Sequence, residues 1–415
     1  MEKNLEKNLK RYLKRKVKIT LGFIVAFLLS CNFVSAEGLY IKNNPNTNKV
    51  EFSKDNSTWG ENPYEENSFK ENIYTNNIEL KGTKYGVKNN SVGISFVNKG
   101  VISVESSNNA WAFRNDNAEM SKLVNNGKIT AIGEANKIGI GNYNSSKIEK
   151  LVNNGNIIVE SLSSNAWGIG NKGKINKLEN NNLIKVIGKE DTTGIGNYDS
   201  LDNLINNGNV ITESDYTWGI LNITKDIINN GIIEVNGKEQ AGGISFLESS
   251  IEKTINNGNI FVKSDNTGTG IEHSANLSAY YILNNGMISV SDINSEPEKG
   301  NSLIGISFSE SGEKVELHNI GTIKSITAKE TKTMGISYEP YNSSSENSTI
   351  ENKGIISAKG KEKASGISIG GSSVEKLTND GVISVDGEGD DTSAIYLRLV
   401  STKNGKIEGY VTTNS

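Results

Sequence analysis

The 415-residue sequence is poor in the side chains that most often carry chemistry: it has one cysteine, two histidines, four tryptophans and four prolines. The cysteine is Cys31, so a chain that begins after it can form no disulfide in any compartment and must be held by packing and hydrogen bonds. His273 and His318 are far apart in sequence, as are Arg114 and Arg398, the only arginines past residue 36. General acid and base work on polysaccharides needs clustered carboxylates, often with basic residues beside them. Here Asp and Glu are plentiful but fall mostly at outward or turn positions, so we expect no catalytic residues, no cofactor and no metal. Long apolar runs are also missing. The one candidate, Ile19 to Leu29, is far shorter than the roughly 20 residues that span a bilayer.

That run follows a basic stretch (Lys3, Lys7, Lys10, Arg11, Lys14, Arg15, Lys16, Lys18) and precedes Val34-Ser35-Ala36, whose small last residue suits signal peptidase. Residues 1–36 therefore read as a signal peptide cleaved after Ala36, which implies export to the cell surface or beyond. A rival reading takes Leu28-Leu29-Ser30-Cys31 as a lipoprotein box, although Leu just before the Ser fits it poorly. Cleavage removes eight basic and two acidic side chains, leaving 36 basic against 46 acidic groups, a net charge of −10. So acidic a surface argues against nucleic acid and anionic lipid as partners.

What the sequence has in abundance is glycine, 43 residues of it, arranged periodically with asparagine. A phrase of the form apolar-x-Asn-x-Gly-x-Ile-x-Val recurs at intervals of 23 to 35 residues, with its Gly at 100, 127, 155, 208, 231, 258, 286, 321, 354, 381 and 405 and Asn182 in the remaining slot. Ile or Val stands two residues after each of these positions, from Ile102 and Ile129 to Ile383 and Ile407. Four residues before the Gly lies a second mostly apolar column, including Phe96, Leu123, Leu151, Leu178 and Leu204. Between copies comes a third phrase, Gly-Ile or a near variant, as in Gly139-Ile140, Gly168-Ile169 and Gly194-Ile195. Spacing of two within each phrase is the mark of strands with one face inward. Three short strands per repeat predict an all-β, right-handed parallel β-helix of about 12 coils of roughly 27 residues, about 55 Å long at the ~4.8 Å strand spacing. We assign the repeats to residues 91–415 and an N-terminal cap and first coil to residues 37–90.

Two residues before the turn glycine comes Asn98, Asn125, Asn153, Asn180, Asn206, Asn229, Asn256, Asn284, Asn319, Asn352 and Asn379. Their parity matches the inward column, which predicts a ladder of side-chain amides, each bonded to its equivalent in the next coil and to the turn backbone. The Gly that follows should supply a left-handed backbone at a sharp corner. Gly168-Ile169-Gly170-Asn171-Lys172-Gly173 fits a dinucleotide-binding pattern, but no helical pattern follows it and the same Gly-Ile phrase recurs in every coil. The run Asp386 to Asp391 reads as a solvated acidic turn, and His318 as an exposed turn residue.

Trp111, Trp167 and Trp218 each precede the Ala or Gly of the third phrase in alternate coils, while Tyr143 and Tyr198 follow it in the coils between. Facing outward they would form an aromatic stripe suited to sugar faces or a protein partner; otherwise they cover one corner of the solenoid. Two coils are lengthened, by residues 291–302 and 339–349, and insertions of that kind project outward.

The Lys-rich leader Asn8-Leu9-Lys10-Arg11-Tyr12-Leu13-Lys14-Arg15-Lys16, its short apolar core and the Asn-Asn-Gly-x-Ile coils together resemble the passenger region of large autotransporters of Gram-negative bacteria. The resemblance covers essentially the whole chain. It implies a non-catalytic, surface-exposed or secreted adhesin-like protein whose partner is a host-cell or bacterial surface protein or glycan. Members of that family carry a C-terminal outer-membrane barrel of about twelve strands. Segments of that kind are not seen in this sequence, which ends Gly409-Tyr410-Val411-Thr412-Thr413-Asn414-Ser415, so we expect either a fragment of a longer passenger or a product released or anchored by something else. A polysaccharide-degrading β-helix enzyme and a purely structural stalk or passenger fragment are the alternatives.

Overall fold

The architecture is taken from a computed structural model. It describes residues 35–36, 38–47, 49–247, 252–274, 280–293, 302–309, 314–328, 331–339, 348–361, 363–370, 374–389, 392–398 and 406–409. The leader through Cys31, most of both lengthened loops, and Asp390 and Asp391 of the acidic run lie outside these residues. The chain divides into two units, residues 1–36, of which only the two-residue strand Ser35–Ala36 is described, and residues 37–415, to which everything below refers.

Every regular element among the described residues is a strand. From Ile73 to Arg398 the strands come in threes and build twelve coils. One coil is Val92–Asn98, Val101–Ser106 and Ala110–Asp116; the next is Glu119–Asn125, Lys128–Gly133 and Lys137–Tyr143. Each strand pairs in parallel with its equivalent one coil away, Leu123 opposite Leu151, Ile129 opposite Ile157 and Ile140 opposite Ile169. The protein is thus a parallel β-solenoid with three sheet faces, here called the first, second and third in chain order. In two coils the second and third faces run on as single strands, Asn209–Leu221 and Ile232–Phe246, and a register shift between Ser214 and Tyr216 marks the corner.

The core is the stack of inward columns. Phe96, Leu123, Leu151, Leu178 and Leu204 on the first face and Ile102, Ile129, Ile157, Ile184 and Val210 on the second are at most 1% exposed. A single coil could not bury these side chains; stacking covers both sides of each and satisfies the backbone at the same time. At the N-terminal end the pairing changes sense. Leu39–Asn43 pairs antiparallel with Val50–Ser53, and Ser68–Lys70 with Ile73–Asn76, while Phe52 packs on Phe69 and Tyr74, and Tyr74 on Phe96.

Among the described residues, three amide columns run along the solenoid. In the first, Nδ2 of each Asn donates to Oδ1 of its equivalent in the next coil at 2.6–2.8 Å, from Asn98 through Asn379. Asn76 adds a rung before Asn98 that the repeat phrase does not flag, because Ile78 occupies the place of the turn glycine. A second buried column, unseen in the sequence pattern, joins Asn89, Asn115, Asn142, Asn171 and Asn197 on the third face at 2.7–2.9 Å. Its signal was the Gly-Ile-Gly-Asn run itself, so the dinucleotide-like pattern contains a rung of this ladder. The third column, Asn126, Asn154, Asn181, Asn207, Asn230, Asn257 and Asn285, is exposed and donates toward the preceding coil, opposite in sense to its buried neighbour. Opposed amide dipoles one residue apart offset one another along the axis.

Three sequence expectations are corrected. The turn glycines are not left-handed, since among the described glycines only Gly93 and Gly133 have positive φ. They are needed for close approach instead: a Cβ on Gly155 would stand 1.9 Å from the Gly127 carbonyl oxygen of the preceding coil. Gly405-x-Ile407 is not a twelfth turn phrase either, because Ile407 aligns with Leu377 and Gly409 with Asn379, which puts residues 406–409 on the first face. His318 lies in the strand Val315–Asn319 rather than a turn, half-buried, with Nδ1 2.7 Å from Oε2 of Glu351.

Candidate functional site

The outward side of the third face carries the aromatic residues, and the reason they can lie flat there is local. Outward positions on this face come in pairs three residues apart, Trp111 with Arg114, Ile138 with Gly141, Trp167 with Gly170 and Thr193 with Gly196. In the coils of Gly141, Gly170 and Gly196 the second position of the pair has no side chain, so a ring rooted at a neighbouring position can fold down onto the backbone. A Cβ at Gly141 would meet Cε2 of Tyr143 at 2.4 Å and Cδ1 of Trp111 at 2.9 Å, and one at Gly170 would meet Cε3 of Trp167 at 2.6 Å. The rings of Trp111, Tyr143, Trp167 and Trp218 are half-buried as a result, while Tyr198 is half exposed.

Register sets the spacing. Tyr85, Trp111, Ile138, Trp167, Thr193 and Trp218 occupy one column in successive coils. Trp111 and Trp167 are therefore two coils apart, about 9–10 Å. Around Trp111 the rings form one group, stacked with Tyr85 at 5.6 Å and edge-on to Tyr143 at 6.2 Å. Around Trp167 they form another, with Tyr198 parallel to it at 5.0 Å and 6°. Trp218 stands further along the column and lies over Gly242. Of the five aromatic residues singled out in the sequence, four are gathered into these two groups.

Each group holds a cation that the sequence pattern did not flag. Arg114 puts Cζ 4.7 Å from the Trp111 ring centre and 4.8 Å from that of Tyr143, and its Nε lies 3.2 Å from Oδ2 of Asp116. Burial would push the Asp116 carboxyl up, but the Asn144 amide, Arg114 and Lys88 outweigh it and hold it below the ordinary value. Burial likewise pushes the Tyr143 phenol up, so it stays neutral. The second cation, Lys172, is exposed, lies 5.6 Å from the Trp167 ring and 5.5 Å from that of Tyr198, and has no salt bridge among the described residues.

Between the two groups lies a cleft of about 230 Å³ walled by Trp111 and Trp167 and floored by Ile138. Lys137 also lines it from an inward position that neighbouring coils fill with Ala110 and Ala166. This lysine is fully buried, its Nζ donating to the carbonyls of Asn108 at 2.9 Å and Ala135 at 2.8 Å, and burial pulls its pKa below the ordinary value. An inward lysine in a small-residue column is invisible to strand alternation.

Among the described residues no three His, Cys, Asp or Glu side chains converge on a possible metal position. Comparison of the chain with protein-family models, curated proteins and solved structures found no match. The class that the fold itself defines is the parallel β-solenoid.

Proposed function

We propose that the protein is a non-catalytic passenger of the autotransporter type, exported by residues 1–36 and displayed at the cell surface or released, where it adheres to a host-cell or bacterial surface glycan or protein. The observation that carries this reading is the aromatic array on the outward side of the third face. Half-buried rings cost little conformational entropy to present, and their exposed faces are suited to stacking on sugars or apolar side chains. The fold holds them at coil spacing on a rigid sheet, so an extended ligand can meet several at once. Adhesion by contact requires no chemistry, only an ordered surface of this kind.

The test is binding of purified residues 37–415 to a glycan array and to intact epithelial and bacterial cells. Wild type should bind and Trp111→Ala/Trp167→Ala should lose most of that binding while melting as a folded protein. Binding that survives the double substitution would remove the third face from the reading.

A further inference from the structure

The cleft between Trp111 and Trp167 is small and its charge is one-sided. Its volume, about 230 Å³, lies below the roughly 300–1,000 Å³ of pockets for drug-sized ligands, so it suits a single ring. The chain as a whole is acidic, yet the cleft is lined by two lysines and no carboxylate. Of the cations near the aromatic groups, Arg114 is already neutralised by Asp116, whereas Lys172 has no salt bridge among the described residues. Lys137 is fully buried with its Nζ held by two backbone carbonyls, so Lys172 is the cation the cleft presents.

The rim adds donors of one kind. Asn136 accepts at Oδ1 from the Ser164 hydroxyl at 2.6 Å, and Asn165 accepts at Oδ1 from the Asp191 N–H at 3.2 Å. Their oxygens thus face protein, and no protein group among the described residues takes their Nδ2 donors. With Asn109 beside them, three amides in successive coils border the cleft. Apolar walls, amide donors and the exposed Lys172 together match a saccharide ring that bears an anion.

We infer that this cleft binds an acidic pyranose, a uronic-acid type unit of a surface glycan, with its ring between Trp111 and Trp167 and its carboxylate on Lys172. The inference rests on the adhesion reading and names the ligand class for it. The amides of Asn136 and Asn165 would take ring and hydroxyl oxygens. A carboxylate on an exposed lysine gains a modest, salt-sensitive attraction, so discrimination against neutral sugars should be several-fold and should fade with ionic strength.

The experiment is titration of residues 37–415 with oligogalacturonate and with the neutral oligosaccharide of the same length, followed by tryptophan fluorescence and calorimetry. Wild type should bind the acidic ligand at least about fivefold more tightly at low salt, and Lys172→Met, an exposed position that leaves the fold intact, should bring it to the neutral level. Trp167→Phe should weaken both ligands and Trp59→Phe, in the N-terminal cap, neither. Equal binding of acidic and neutral ligands, or a Lys172→Met variant that keeps the preference, overturns the inference and leaves adhesion standing. No binding of either ligand also overturns it, and the cell and array assays then decide the adhesion reading separately.

Discussion

Asn197 donates its side-chain amide to the backbone carbonyl of Asn222, at 2.7 Å, and not to the Asn222 side chain. With that bond the amide ladder of the third face ends. Asn222 has φ of 59°, and in the following coils the same column holds Phe246, His273, Phe308 and Tyr338. One inward column is therefore an amide ladder in its first half and an aromatic stack in its second. Both solutions exploit exact repetition, the first by hydrogen bonds between identical groups, the second by ring contacts at 5.6, 6.4 and 5.7 Å.

The aromatic half contains a titratable member. Burial pushes the His273 imidazole down to about 4, from an ordinary value of 6.5, so it is neutral in the folded chain. As pH falls below about 6.5 the unfolded chain takes up a proton that the folded one does not, so stability is full above that pH and declines toward pH 4, by on the order of 3 kcal/mol. Neighbouring Glu272, whose carboxyl is raised by burial, works in the opposite sense. The difference between wild type and His273→Phe isolates the imidazole. Chemical denaturation at pH 7 and pH 4.5 should show a smaller acid loss in the variant, and equal losses would refute the assignment.

A rung of the first-face ladder should be costly to remove. Asn229→Leu leaves Nδ2 of Asn206 and Oδ1 of Asn256 without partners in a dry column, at about 1–3 kcal/mol each. The adjacent Asn230→Leu breaks an exposed ladder whose groups water can satisfy. Thermal melts by circular dichroism should show a large drop for the first and a drop of less than about 1 kcal/mol for the second. Similar melts for the two would mean burial does not matter here.

Gly168 allows the second face to pack across the core against the third. A Cβ there would lie 2.5 Å from the Gly194 carbonyl oxygen and 2.5 Å from Cγ2 of Ile184. Neither the backbone nor a fully buried isoleucine can yield cheaply, so Gly168→Ala should destabilise by about 1–3 kcal/mol despite the better strand entropy of alanine. Urea unfolding measures it, and a neutral result would show that the coils breathe more than their contacts suggest.

Asn182 occupies the turn-glycine column, where the Gly208 position of the next coil already lies 2.0 Å, by a hypothetical Cβ, from the Asn182 carbonyl oxygen. Its own Cβ has to be accommodated against the coil before it. Asn182→Gly should therefore raise the melting temperature, by the equivalent of about 1 kcal/mol, although glycine normally loosens a chain. A lower melting temperature would mean that the Asn182 amide bond to the Asn154 carbonyl, at 3.2 Å, outweighs the crowding.

Much of the architecture is legible in the sequence alone, because it depends on quantities that a linear sequence carries. Strand alternation identified Ile129, Ile157 and Leu151 as inward, and the recurrence of Asn-x-Gly at about 27 residues set the coil length. The first amide ladder follows from the same parity argument, since a buried asparagine in every coil has its own copies as the nearest partners. What the sequence could not supply was any fact that depends on which atoms meet between coils. The turn glycines are required by a carbonyl one coil away, which no local backbone preference reveals. The second ladder, its end at Asn222, the place of Ile407 and the inward Lys137 likewise depend on how the chain closes each turn, since residues about 27 apart become neighbours only through that closure. The aromatic residues show both parts. Their placement before and after the Gly-Ile phrase was plain in the sequence, but only the stacked coils lay Trp167 flat over Gly170 and leave a cleft between it and Trp111.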